Sequence, residues 1–403
     1  MKYFLIILLL LLISASTLTI YLQLNYPATS PLVTVTYMAE NIGHKHAKTN
    51  RQLIGFLPYW RLDDSKYLRT DLMSEVIFFS LSADENGQII KVDDGQTDPG
   101  WRWWNSSIVK DLITKTQVGG GRFSLTIAMQ RNKTLEAFLD NPSSQQKLIQ
   151  NLLKIVKEER LNGLNVDFEY GGEPDAGYRG KFTAFAQNLT SSFRTNSPKT
   201  ILSIDFFPLS VEKPRLYDVA KLAPLFDRVI VMSYDYYSTS SKVAGPVAPM
   251  GGYKEGKYFF DIQTTYEDYL KIVPREKIVM GIPYYGWDFP VEDKDQPLSQ
   301  VLPKNDTNGY PAVMSYGRMR DDTDINQDNC RWDELAAATW CSYLDSESQV
   351  PHQAWIEDNR SIGTKFDFAK AQNLGGIAIW TLGYDKNYPD LWQMISDKFT
   401  EKI

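Results

Sequence analysis

Eight short apolar runs, separated by helix-like segments or long polar connections, organise the chain from residue 52 onward. They fall at 53–59, 75–82, 122–129, 163–170, 200–207, 227–235, 277–285 and 375–382, and most are rich in Val, Ile, Phe or Tyr. Strands of that composition are buried on both faces, as in a parallel sheet. Parallel neighbours need crossover connections, and helical periodicity near 142–159, 178–195, 215–224, 264–272, 362–373 and 388–399 supplies them. The alternation places the chain in the α/β class, and eight strand units predict a (β/α)8 TIM barrel. An open doubly wound sheet is the competing fold. It would bring a glycine-rich phosphate turn after a strand, whereas Gly119-Gly120-Gly121 precedes one. The gap between runs seven and eight is too long for one helix and predicts an inserted subdomain at about 288–350.

At 403 residues and 43% apolar content, the chain can bury a large core. A net charge of −6 without a basic run argues against a nucleic-acid partner and suits a neutral substrate. A monomer is expected. After Lys2, the apolar run from Tyr3 to Ile13 has the length of a signal-peptide core, with Ser14 and Ser16 placed for cleavage. Continued to Leu24, the segment is long enough to cross a bilayer as a retained anchor. Residues 1–24 are therefore a signal peptide or a signal anchor. Either places the remainder outside the cytoplasm, secreted or held at the membrane. Residues 25–51, with Pro27, Pro31, Gly43 and no sustained period, read as a linker to a domain at 52–403. His44 and His46 fall in that linker and the only other histidine is His352, so no imidazole metal site is expected. Cys330 and Cys341 are close in sequence, and an exported chain leaves a disulfide between them open.

Within the fourth run, residues 162–170 read Asn-Gly-Leu-Asn-Val-Asp-Phe-Glu-Tyr. A period of two puts Asn165, Asp167 and Glu169 on one face of a strand, with Leu164, Val166, Phe168 and Tyr170 on the other. An amide and two carboxyls in a row are costly to bury without partners or shifted pKa values. Clustered carboxyls with shifted pKa values are what general acid catalysis at neutral pH uses. The alternative is a half-exposed strand whose polar face meets water. Trp380 has its own bland reading as core, and Tyr234 with Asp235 as a buried hydrogen-bonding pair.

The stretch resembles the Asp-Gly-x-Asp-x-Asp-x-Glu motif of glycoside hydrolase family 18, the chitinases and their relatives. Amides stand at Asn162 and Asn165 in place of its first two acids. Three further blocks follow in the family's order. Met232-Ser233-Tyr234-Asp235 is similar to its Met-x-Tyr-Asp, and Gly281-Ile282-Pro283-Tyr284-Tyr285-Gly286 to its Gly-x-Pro-x-Tyr-Gly. Gly375-Gly376-Ile377-Ala378-Ile379-Trp380 is similar to its Gly-Gly-x-x-x-Trp, and Phe56, Tyr59 and Trp60 to the aromatic end of its first strand. The resemblance spans residues 52–400.

It implies a retaining hydrolase of β-linked N-acetylglucosamine polymers, chitin or peptidoglycan, acting through the substrate's acetamido group and an oxazolinium intermediate. Glu169 would be the general acid and then base, Asp167 would bind the acetamide N–H, and Tyr234 its carbonyl oxygen. Asn165, Asp235, Met232, Trp380, Tyr285, Phe56 and Tyr59 would bind substrate, with Trp380 a flat apolar platform for a sugar ring. No cofactor is implied. Members of the family often carry a small α+β insertion between strands seven and eight. Where many chitinases have Ser-x-Gly-Gly on strand three, this chain has Ser124-Leu125-Thr126-Ile127-Ala128, which makes peptidoglycan a competitor of chitin. The amide at Asn165 is expected to donate to Asp167 and let it ionise more readily. Trp101-Arg102-Trp103-Trp104 is either a sugar-stacking platform or loop packing. The rival function is a chitinase-like lectin that binds without cutting; the presence of both Glu169 and Asp167 favours an enzyme.

Overall fold

The computed structural model describes residues 2–40, 49 and 51–400, so His44 and His46 lie outside the described residues. Seven of the apolar runs form β1 Gln52–Pro58, β2 Glu75–Ser82, β3 Arg122–Met129, β4 Gly163–Phe168, β5 Ile201–Phe206, β6 Arg228–Val231 and β7 Ile278–Pro283. Five further strands follow: β8 Tyr285–Pro290, β9 Ala312–Ser315, β10 Cys330–Asp333, β11 Ala338–Leu344 and β12 Pro351–Ile356. The eighth apolar run then forms β13 Gly376–Trp380. Strands β1 to β7 and β13 pair in parallel, in chain order, and close into a barrel through Gln52↔Gly376 to Gly55↔Ile379. This is the TIM barrel that the strand–helix alternation predicts.

Side chains of β4 divide as its period of two requires. Phe168 points outward among Phe138, Phe182 and Phe185, with ring centroids 5.6–6.1 Å away. Those rings come from the helices Asn132–Leu139 and Tyr178–Asn196, which cover this side of the barrel. The helix Pro142–Glu158 begins where the Asn141 side chain accepts from the Ser143 and Ser144 N–H groups, with proline at the first helical position. At the opposite end of the barrel, Glu75 of β2 is enclosed by Arg228, Arg122 and Ser124. Burial alone would raise its pKa, but Arg228 and its other partners overrule that and hold it low.

The insertion is an antiparallel sheet of order β9-β8-β12-β11-β10, and it begins at Tyr285, slightly earlier than the chain spacing predicts. Cys330 and Cys341 stand directly opposite each other on β10 and β11 and are joined by a disulfide.

Two local expectations need correction, and one open reading is narrowed. The helix expected at 215–224 shrinks to Val219–Leu222, because Arg215 has a positive φ of 48°, Asp218 caps the turn and Pro224 ends it. The connection between β2 and β3 holds two helices, Pro99–Trp104 and Ser107–Val118. Trp104 is core, 5.2 Å from Phe78, so it is no sugar platform, while Trp101 and Trp103 remain half-buried. The stretch read as linker contains the helix Pro31–Glu40. Just before it, Thr29 Oγ1 bonds Thr114 Oγ1 at 3.0 Å, and Thr34 is fully buried.

Candidate active site

Asn165 and Asp167 are 0% and 2% exposed inside the barrel, which rules out the water-facing reading of this strand. Their neighbours follow from register. Asn165 stands level with Thr126 of β3 and Ser203 of β5, and Asp167 with Ala128. The Asn165 carbonyl oxygen accepts from Thr126 at 3.0 Å, and its amide nitrogen donates to Ser203 Oγ at 3.1 Å and Asp205 Oδ1 at 2.8 Å. Both amide hydrogens are thus committed to β5. The expected donation from Asn165 to Asp167 is not made.

Asp167 is instead surrounded by acids. Burial raises its pKa well above the ordinary value, and the charges of Glu169 and Asp205 push it further the same way. The expectation that Asp167 ionises readily is therefore overturned, since the amide at 165 leaves a second carboxyl, Asp205, in range. Glu169 is also raised, chiefly by burial, with Asp235 adding to it. The two carboxyls each influence the other's titration, so a proton retained at neutral pH belongs to the pair. Gln130, at the end of β3, donates to Glu169 Oε1 at 2.8 Å and approaches Asp167 Oδ2 at 3.5 Å. Asp167 Oδ1 is buried without a partner among the described residues.

These groups open into a cavity of about 250 Å³ at the C-terminal end of the strands. Phe56, Met232, Tyr234, Asp235 and Trp380 line it, as the sequence pattern anticipates. Trp380 is held edge-on by Phe79 at 4.7 Å, Phe56 at 5.9 Å and Trp60 at 6.4 Å. Trp380 stays only partly buried and lines the cavity. Tyr234 is kept neutral, its hydroxyl raised well above 10.0 by burial and by the surrounding carboxyls. Asp235 is reached by solvent from the cleft but enclosed elsewhere. Enclosure raises its pKa against hydrogen bonds from Tyr285 at 2.7 Å and Trp287 at 3.2 Å.

Three of the expected binding residues do not line the cavity. Asn165 lies beneath it, Tyr285 stands behind Asp235, and Tyr59 packs outside against Trp60, 4.8 Å between ring centroids. Trp60, 48% exposed, takes the place given to Tyr59. Gln130, Phe79 and Asp205 line the cavity without having been anticipated. The signal for Asp205 is its parity with Ser203 in the fifth run, which places it on the inner face of a strand. His352 takes no part; it bonds Asp288 at 2.9 Å within the insertion.

The family model of glycosyl hydrolases family 18 matches residues 49–385. A cortical fragment-lytic enzyme of Bacillus anthracis is 24% identical over 338 residues, which cover 81% of this chain and 68% of that protein. The solved structure of the Group IV chitinase of Ostrinia furnacalis aligns with a TM-score of 0.72 at 18% identity, over 86% of this chain and 99% of that one. The spore cortex-lytic enzyme SleL of Bacillus megaterium QM B1551 aligns with a TM-score of 0.66 at 20% identity, over 88% and 76%. At these identities, the likeness to the two solved structures is one of fold.

Proposed function

Since the chain belongs to glycosyl hydrolases family 18, we propose that it hydrolyses β-linked N-acetylglucosamine polymers, of chitin or cell-wall type, with retention. One observation carries the reading: Asp167 and Glu169, both held above their ordinary pKa by burial, stand together in a cavity lined by Trp380 and Tyr234. In the proposed reaction, the proton moves to Glu169, which delivers it to the glycosidic oxygen. The substrate's acetamido oxygen attacks the anomeric carbon as the leaving sugar departs. Asp167, now anionic, accepts the acetamide N–H, and the neutral Tyr234 hydroxyl donates to the acetamide oxygen. Glu169 then takes a proton from water, which opens the oxazolinium ring. Trp380 holds the sugar face. The reaction is assigned to the outside of the cytoplasm, with the N-terminal helix retained as anchor.

The test is release of fluorophore from a chito-oligosaccharide conjugate by the detergent-solubilised full chain, wild type against Glu169→Gln. Loss of a general acid removes roughly 10²–10⁴-fold in rate. Oligosaccharide binding by the wild type without turnover would replace this reading with the lectin.

A further inference from the structure

The reaction just described needs Asp167 negative at the moment the intermediate forms, yet among the described residues no lysine or arginine bonds it. The groups that most shift the titration of Asp167, Glu169, Asp205 and Tyr234 are one another, together with Asp235 and the Gln130 and Asn165 amides. No lysine or arginine is among them. Asp205 is the member that the chemistry above does not use. It is 5% exposed and lines the cavity, and its Oδ1 accepts the Asn165 amide at 2.8 Å. The register of β4 on β5 runs through Asn165 with Ser203 to Val166 with Ile204, so Asp205 stands just past the paired residues, on the inner face shared with Ser203. With small Ala128 on its other flank, Asp167 is acted on from the next strand by the Asp205 carboxyl.

Resting on the proposed hydrolase reading, we propose that Asp205 is a positioning residue for that reaction: tied to the β4 row through the Asn165 amide, it supplies a third carboxyl whose own proton permits Asp167 to carry negative charge. Atoms and charge balance along the row. The shared proton passes from Asp167 to Glu169 and on to the leaving oxygen, while Asp205 keeps its proton throughout. An ionised Asp205 would put a second negative charge beside Asp167, in a buried site where like charges cannot both be accommodated. Asp167 then retains its proton, and the acetamide N–H loses its acceptor. Burial raises Asp205 to about 8, so this arrest falls just above neutral pH.

The experiment is the pH profile of kcat and KM for wild type and Asp205→Asn, on the full chain in detergent. Wild-type turnover that Glu169→Gln abolishes establishes the hydrolase separately, and the profile then reads Asp205 alone. The expected result is an alkaline limb of kcat moved up by at least about one pH unit, with kcat at pH 7 kept within roughly 10-fold and KM little changed. The exchanged pair Asn165→Asp/Asp205→Asn, which returns the carboxyl to β4, is expected to bring the limb back toward the wild-type position. An equal fall in kcat at every pH, with the limb unmoved, overturns the proposal. Should Asp205→Asn fail to fold, Asn165→Asp alone decides. A carboxyl in contact with Asp205 eases loss of the pair's first proton and must move the limb to lower pH; an unmoved limb rejects the proposal.

Discussion

Asp205 ionises near 4 in an unfolded chain and near 8 in the fold, because burial opposes its charge by more than the Asn165 hydrogen bond favours it, with Glu169 adding to the rise. Between those values the unfolded state holds fewer protons than the folded one, so stability falls as pH rises from about 4 to about 8. Asp205→Asn keeps the acceptor for Asn165 and removes the titration. Its Tm is expected to exceed that of wild type by on the order of 5 °C at pH 8, with the gain fading to nothing near pH 4. Thermal scans across that range check this, and a gain independent of pH would contradict it. Glu169, Asp167, Tyr234, Met232, Asp235 and Trp380 are legible in the sequence because strand-end motifs mark them. Asp205 carries no such mark. Its parity in the fifth run gives a face, but which residue it opposes depends on register, and register is fixed only when the barrel closes. The role expected of Asn165 fails for the same reason, since both its hydrogens turn to a strand the motif does not mention.

At the scale of elements, the barrel strands are readable as short runs rich in Val, Ile, Phe and Tyr, with a period of two where the inner face turns polar, whereas the helices that pack threonine are not. Ser107–Val118 buries Thr114 and Thr116 beside Val109, Leu112 and Ile113, which blurs the apolar stripe that helical periodicity relies on. Pro31–Glu40 packs on that same helix and escapes notice for a similar reason, with Thr34 rather than a larger apolar side chain fully buried. The insertion is legible as a gap in spacing, but its sheet order is not, because it brings β8, next to the barrel, beside β12. Its disulfide closes a short loop, and a loop of roughly 15 residues corresponds to about 3 kcal/mol at most in the chain-entropy model. Reduction is expected to act locally. Amide exchange should quicken in β10 and β11 while β1 to β7 keep their protection; loss of barrel protection on reduction would show that the two sheets unfold as one.

For the whole molecule, the open question in the sequence is whether the apolar leader stays. The helix Lys2–Asn25 runs unbroken through Ser14, Ala15 and Ser16, where cleavage would have to occur. One of its polar interruptions is satisfied internally, since the Thr17 hydroxyl donates to the Ile13 carbonyl at 2.8 Å and asks nothing of a surrounding solvent. The stretch Ile6–Asn25 is 20 residues long, which at 1.5 Å per residue matches a hydrocarbon core of about 30 Å. Leu10, Leu11 and Leu12 are each more than half exposed, an apolar surface that water does not tolerate and lipid does. Lys2 lies at one end and no basic residue follows the helix until Lys45, a bias that fits the proposed orientation, with the Lys2 end cytoplasmic and the barrel outside. Beyond Asn25 the chain turns within a few residues into Pro31–Glu40, already docked on the barrel, so an anchored enzyme is held near the bilayer surface instead of on a long tether. The full-length chain is therefore expected in the membrane fraction with Lys2 still present, resisting an alkaline wash and released by detergent. Leu10→Arg, which adds on the order of 3 kcal/mol at mid-bilayer, should move much of it out of that fraction. A soluble product whose first residue lies near Ser14 or Ser16 would instead make the helix a cleaved signal, and Pro31–Glu40 would then be the first element docked on the barrel.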